Sequence, residues 1–227
     1  MKLQSSKLLR LAATGSAGFA LAQSIQAATV LSGSGLANNA NIPAAHGSNA
    51  AGTPDIALTW SPVSTVAGTP NVWQAYTGWP NGGGQTYQLD GPGSGYTGAV
   101  TYGISFTPSS ATIAVVITSL TLNDWAGPAA VGLQNTTLNW SVIGSSSGLL
   151  GSGTGLVVPN GTAPQLDLNY QGVGGETLTL NLTPTGGAGS YFAVDNLSFD
   201  QVTVPEPSGA ILAVAGLGAL ALRRRRR

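Results

Sequence analysis

The chain has no cysteine, which excludes a disulfide framework, a thiolate nucleophile and any cysteine-ligated metal. Between residues 28 and 204 it also has no lysine and no arginine. All eight basic residues sit near the two ends, as Lys2, Lys7 and Arg10 and as Arg223 to Arg227. Seven of the eight acids (Asp55, Asp90, Asp124, Asp167, Glu176, Asp195 and Asp200) lie in that base-free interval, so a whole-chain net charge of zero conceals a central charge of −7. Such a segment cannot neutralise phosphates, which excludes nucleic acid as its partner. It offers no cationic side chain to an oxyanion, a phosphate or a carboxylate substrate. Histidine is nearly missing as well. His46 stands alone within IPAAHGSNAAG, a setting that predicts a solvated loop residue and not the rigid base of a Ser-His-Asp arrangement. The acids show no spacing that singles out a pair for glycoside hydrolysis. The expectation is a protein without enzymatic activity.

What is present at the start of the chain is a tripartite leader. Residues 1–27 begin with Lys2, Lys7 and Arg10, continue through an apolar block from Leu11 to Ala22, and end on small residues at Ala27 and Ala28. Positive charge holds such a start on the cytoplasmic side while the block enters the bilayer, and this layout reads as a secretory signal peptide in helical form. The other end repeats the layout in mirror image: fifteen uncharged residues, SGAILAVAGLGALAL, run from Ser208 to Leu222 and are followed by RRRRR. A spanning helix needs about 20 apolar residues, with ~17 near the lower limit, so this is a short transmembrane helix. By the positive-inside rule its arginines are cytoplasmic, and everything before Pro205 lies on the far side of the inner membrane.

Val204, Pro205, Glu206, Pro207 and Ser208, then a short apolar helix, then Arg223, Arg224, Arg225, Arg226 and Arg227: in that order these parts resemble the PEP-CTERM sorting signal of Gram-negative bacteria that make extracellular polysaccharide. The resemblance covers residues 204–227. It implies processing by signal peptidase at one end and by exosortase, a membrane-embedded transpeptidase-like enzyme, at the other. It also implies a transient stay in the inner membrane and a final place at the cell surface or in the extracellular matrix. Pro205 and Pro207 suit a recognition site, because both rings forbid a helix and hold the segment extended.

Residues 28–203 form the passenger, and its pattern is all-β. Thr177 to Thr183 alternates strictly, with Leu178, Leu180 and Leu182 on one face. Gln165 to Tyr170 and Thr137 to Val142 do the same, placing Leu166, Leu168, Tyr170, Leu138, Trp140 and Val142 inward. In Ala111 to Leu122 the apolar parity changes, which predicts a bend or bulge near Thr118 and Ser119. In FAVDNLSF it changes at Asp195 and Asn196, which predicts another. That string also resembles the closing strand of carbohydrate-binding-like jelly rolls. Gly-rich punctuation at 82–84, 91–95, 144–155, 160–161 and 186–189 predicts turns. Residues 28–52, rich in Ala, Ser, Gly and Asn, read as an edge strand followed by a mobile loop. The fold expected is a β-sandwich, jelly-roll-like.

Two ligand classes follow from this composition. An acid-rich, base-free exported domain suits calcium, which takes hard oxygen ligands. Asp195 with Asn196 is the first candidate, with Asn123 and Asp124 or the loop residue Asp90 behind it. The competing reading makes these residues turn and bulge formers. Aromatic rings stack on sugars, and Trp60, Trp73 and Trp79, near Tyr76 and Tyr87, are the candidate contacts, with Trp125 joining from a turn. The functional expectation is a structural or adhesive surface protein; the alternative is a carbohydrate-binding module acting on extracellular polysaccharide. Burial of the tryptophans would remove the main support of that alternative.

Overall fold

The computed structural model describes residues 28–63, 72–77, 85–88, 100–124, 136–159, 161–186 and 192–204, together with Leu217. Eleven strands are found there: β1 (Thr29–Leu31), β2 (Ile56–Ser61), β3 (Gln74–Tyr76), β4 (Thr86–Gln88), β5 (Tyr102–Pro108), β6 (Ile113–Asp124), β7 (Thr136–Gly144), β8 (Gly148–Val158), β9 (Gln165–Gln171), β10 (Leu178–Gly186) and β11 (Phe192–Thr203). They build a β-sandwich of two antiparallel sheets. One has the order β3-β4-β11-β6-β9, with β1 also on β11; the other has the order β2-β5-β10-β7-β8.

Alternation in the sequence explains the layers. Leu178, Leu180 and Leu182 of β10 are fully buried, and Ile104 and Phe106 of β5 and Leu138 and Val142 of β7 join them in the core. Facing them from the other sheet are Ile113, Val115, Ile117, Leu120 and Leu122 of β6 and Phe192, Val194, Leu197 and Phe199 of β11. The two parity changes are where the sequence put them. The pairing of β6 with β9 shifts between Ile117 and Ser119, and that of β11 with β6 shifts between Asp195 and Ser198. Each shift returns the following apolar residues to the core face.

Two expectations are corrected. The glycines of 144–155 do not form one long turn: a three-residue turn at Ser145 to Ser147 leads into β8, the longest strand of its sheet. Nor does the segment after β1 hang free. Asn39 N–H donates to Ala75 O at 2.8 Å, Ile42 N–H to Trp73 O at 2.9 Å and Asn49 N–H to Ile56 O at 2.8 Å, so residues 38–50 lie along the borders of β3 and β2. The expected signal peptide (1–27) and the expected C-terminal helix, apart from Leu217, lie outside the described residues.

Candidate functional site

Both ends of the folded chain meet on β11. Thr29 pairs antiparallel with Phe199, and Thr203 closes the same strand opposite Ile113. Thr203 stands four steps along the strand from Phe199, about 13 Å at the rise of a strand. Because β1 runs against β11, the chain before Thr29 and the chain after Thr203 leave at the same end of the sandwich.

That end is tied by two carboxylates. Gln201, buried in β11, donates from Nε2 to Asp55 Oδ2 at 2.9 Å and accepts the Asp55 N–H at Oε1, also at 2.9 Å. Ser109 Oγ donates to Asp55 Oδ1 at 3.3 Å. The second carboxylate, Glu176, is 2% exposed and accepts from five donors: the N–H and Oγ of Ser146, the N–H and Oγ of Ser147, and the N–H of Val173. Burial pushes its pKa up, but the hydrogen bonds from Val173, Ser147 and Ser146 outweigh burial and bring it to about 2. Gly144 makes the room, since a Cβ there would stand 2.2 Å from Glu176 Oε1. Glu176 gives no signal in the sequence beyond its place among turn residues.

Val204 is the last residue of this platform. Its N–H donates to Thr112 O at 2.8 Å, and its Cγ2 lies where Gly174 has no side chain. The next residue is Pro205, so the motif Val204, Pro205, Glu206, Pro207, Ser208 begins where the last strand has just ended. Pro205 to Ser208 and Arg223 to Arg227 lie outside the described residues.

The aromatic candidates fall elsewhere. Trp60 and Trp73 are 1% and 0% exposed, with ring centroids 4.9 Å apart in an edge-to-face contact. Their indole N–H groups are spent inside the protein, Trp60 on His46 O at 2.8 Å and Trp73 on Ser61 O at 3.0 Å. Neither offers a face to a sugar, because the alternation of β2 points Trp60 inward and Trp73 packs on it and on Tyr102. Trp79, Trp125 and Asp90 lie outside the described residues. Tyr87, also buried, donates its hydroxyl proton to Ser32 O at 2.6 Å and stands 3.0 Å from His46 Nε2. With that proton committed, His46 donates to the phenol oxygen and is the Nε2–H tautomer when neutral. His46 is thus half-buried, not solvated, and burial lowers its pKa. Burial, and then Asp195, raise that of Tyr87.

Asp195 and Asn196 form the bulge of β11. Asn196 adopts φ 47° with an exposed side chain, and its N–H donates to Asp195 Oδ1 at 2.8 Å. Asp195 is 7% exposed, and burial raises its pKa against that hydrogen bond. Asn123, two residues along from Thr121, the register partner of Asp195, is 1% exposed, and its Oδ1 and Nδ2 have no hydrogen-bond partner. Among the described residues no three His, Asp or Glu side chains converge as a metal centre. Among the described residues Asp195 and Asn123 are therefore a carboxylate and an amide on one sheet face, with no third His, Asp or Glu to complete a metal centre.

No protein-family model matches the chain, and no curated protein matches it.

Proposed function

We propose that this chain is an exported surface or matrix protein with a structural, adhesive role, sorted by a PEP-CTERM signal at residues 204–227 after removal of a signal peptide at residues 1–27. The observation that carries the reading is the ordered tail itself, VPEPS, fifteen uncharged residues and five arginines, set against a basic-apolar-small leader at the other end. The folded geometry supports it. A precursor held in one membrane by both tails needs them to leave the domain on one side, as the place of Thr29 opposite Phe199 and of Thr203 at the end of the same strand allows. The motif also starts beyond the final strand, where an enzyme could reach an extended Pro-Glu-Pro without unfolding the sandwich.

The passenger is read here as a jelly roll. Its strands pair as β4 with β11, β5 with β10, β6 with β9 and β7 with β8, a nested series that wraps a single long hairpin into two sheets. We read it as non-catalytic: the sole histidine is engaged by Tyr87, and residues 28–204 supply no cation. Burial of Trp60 and Trp73 takes two of the three candidate sugar contacts from the carbohydrate-binding alternative, which favours display.

The deciding measurement is mass spectrometry of the mature protein from cells with and without exosortase. Cells with the enzyme should yield a C-terminus within or next to residues 204–208, and cells without it a chain that retains Arg223 to Arg227. Recovery of the arginine tail on the surface form of exosortase-positive cells would sink the proposal.

A further inference from the structure

A sheet edge exposes unpaired N–H and C=O groups, and proteins cover or blunt such edges to avoid pairing with another chain. Most edges of this sandwich are protected. Along β2, Trp60 N–H donates to Ala44 O at 2.9 Å, Leu58 N–H to Ser48 Oγ at 2.8 Å, and Asn49 N–H to Ile56 O at 2.8 Å. Along β3, Ala75 N–H donates to Ala40 O and Asn39 N–H to Ala75 O, both at 2.8 Å. The edge of β9 carries exposed Asp167 and is broken by Asn169 at φ 54°. β1 is three residues long.

Among the described residues nothing covers the edge of β8, although Gly155 stands at φ 64° and two register shifts interrupt its pairing with β7. This strand is eleven residues long, GLLGSGTGLVV, without charge or proline, and it ends its sheet. Leu149 and Val157 are 63% and 48% exposed, and Ile143, the partner of Leu149 on β7, is 40% exposed.

The strand is also nearly its own mirror. About Gly153, Ser152 answers Thr154, Gly151 answers Gly155, Leu150 answers Leu156 and Leu149 answers Val157. Two register shifts flank the same residue, one directly beside Gly153 and one at Leu150. β8 carries one extra residue between the partners of Leu138 and Trp140 and another between those of Val142 and Ile143, one on each side of Gly153. Leu149 and Val157 stand opposite Ile143 and Thr137, positions of equal parity on β7, so both face outward. A strand with this symmetry presents the same chemistry when it is turned end for end, which is what an antiparallel two-fold contact requires.

Charge selects the same surface. With seven acids and no base in residues 28–204, a self-contact that included a carboxylate would set like charge against like charge with no cation to relieve it. The uncharged β8 edge escapes that penalty.

We propose that β8 is a self-association edge: two copies of this chain pair β8 against β8, antiparallel about a two-fold axis at Gly153, and join their five-stranded sheets into one of ten strands. The absence of cysteine makes the test clean. The full-length Ser152→Cys and Thr154→Cys proteins are purified separately in mild detergent, mixed and oxidised. Ser152 of one copy lies opposite Thr154 of the other, about 4.5–5.5 Å apart between Cα atoms and within reach of a disulfide. Ser152 against Ser152 is diagonal, about 7–8 Å apart, and poorly placed. The expected result is a covalent dimer from the mixture and little from either variant alone. Adding Leu149→Lys and Val157→Lys to both proteins should cut that yield about tenfold, equivalent to ~1.4 kcal/mol, while circular dichroism stays unchanged. No dimer from the mixture, equal cross-linking by each variant alone, or a yield indifferent to the two lysines would each overturn the proposal.

Discussion

Two buried carboxylates respond to pH in opposite directions, and the sign follows from their partners. Glu176 has a folded pKa of about 2, below its ordinary value of 4.5. Its contribution to stability is therefore full above the unfolded pKa and is lost as pH falls through the folded one. Asp195 has a raised folded pKa, so it binds a proton more readily folded than unfolded, and its penalty is present at neutral pH and relieved by acid. Glu176→Gln should cost about 1–3 kcal/mol at pH 7, because the amide accepts at one oxygen only and presents N–H to donors. Its melting temperature should also fall less steeply than that of the wild type between pH 5 and pH 2. Asp195→Asn keeps an acceptor for Asn196 N–H and should raise the melting temperature at pH 7. Thermal melts of the three proteins across pH 2 to 8 check both signs, and a destabilised Asp195→Asn protein at pH 7 would contradict the assignment.

At the scale of the strand, glycine has two meanings that a sequence does not separate. The glycines of β8 look like turn residues, yet two of them are sites of close approach. A Cβ on Gly151 would stand 2.1 Å from Tyr170 Oη, and one on Gly153 would stand 2.4 Å from Trp140 Nε1. Tyr170 comes from β9 in the other sheet, so its contact exists only once the sandwich has formed and nothing local announces it, whereas Trp140 is the partner of Gly153 across the β7–β8 hairpin. Gly151→Val should therefore destabilise the protein by about 1–3 kcal/mol, while Gly148→Ala, with open space around its Cβ but φ +73°, should cost about 1 kcal/mol through backbone strain. Urea unfolding of the two variants would show the order. Strands with regular alternation, β7, β9 and β10, were legible because one face of each is wet. The bulges at Thr118–Ser119 and Asp195–Asn196 were legible for the same reason, as breaks in that alternation. The sequence offers Trp60 and Trp73 as candidate sugar contacts and gives no sign of their burial, which depends on a core that neighbours distant in sequence complete. The clamp of Glu176 on two turns was invisible, since its donors Ser146 and Val173 stand 30 and three residues away.

For the molecule as a whole, stability should be indifferent to residues 205–227 and intolerant of any cut inside β11. Removal of residues 205–227 leaves Val204 bonded to Thr112 and every strand in place. Removal from Leu197 onward deletes Phe199, which is fully buried against Phe106 at 5.1 Å between ring centroids, and unpairs β1 altogether. Circular dichroism should show a cooperative melt close to that of the full chain for the first truncation and no cooperative transition for the second.

The position of β11 also fixes when the domain can fold. It is the last strand of the sandwich in chain order, yet it lies inside its sheet, between β6 on one flank and β4 and β1 on the other. The first strand waits for it as well, since β1 has no other partner among the described strands. A chain emerging vectorially, amino end first, cannot close this core until Thr203 has appeared. Closure therefore waits for the last strand of the sandwich, since the β3-β4-β11-β6-β9 sheet is incomplete until residues 192–203 are in place.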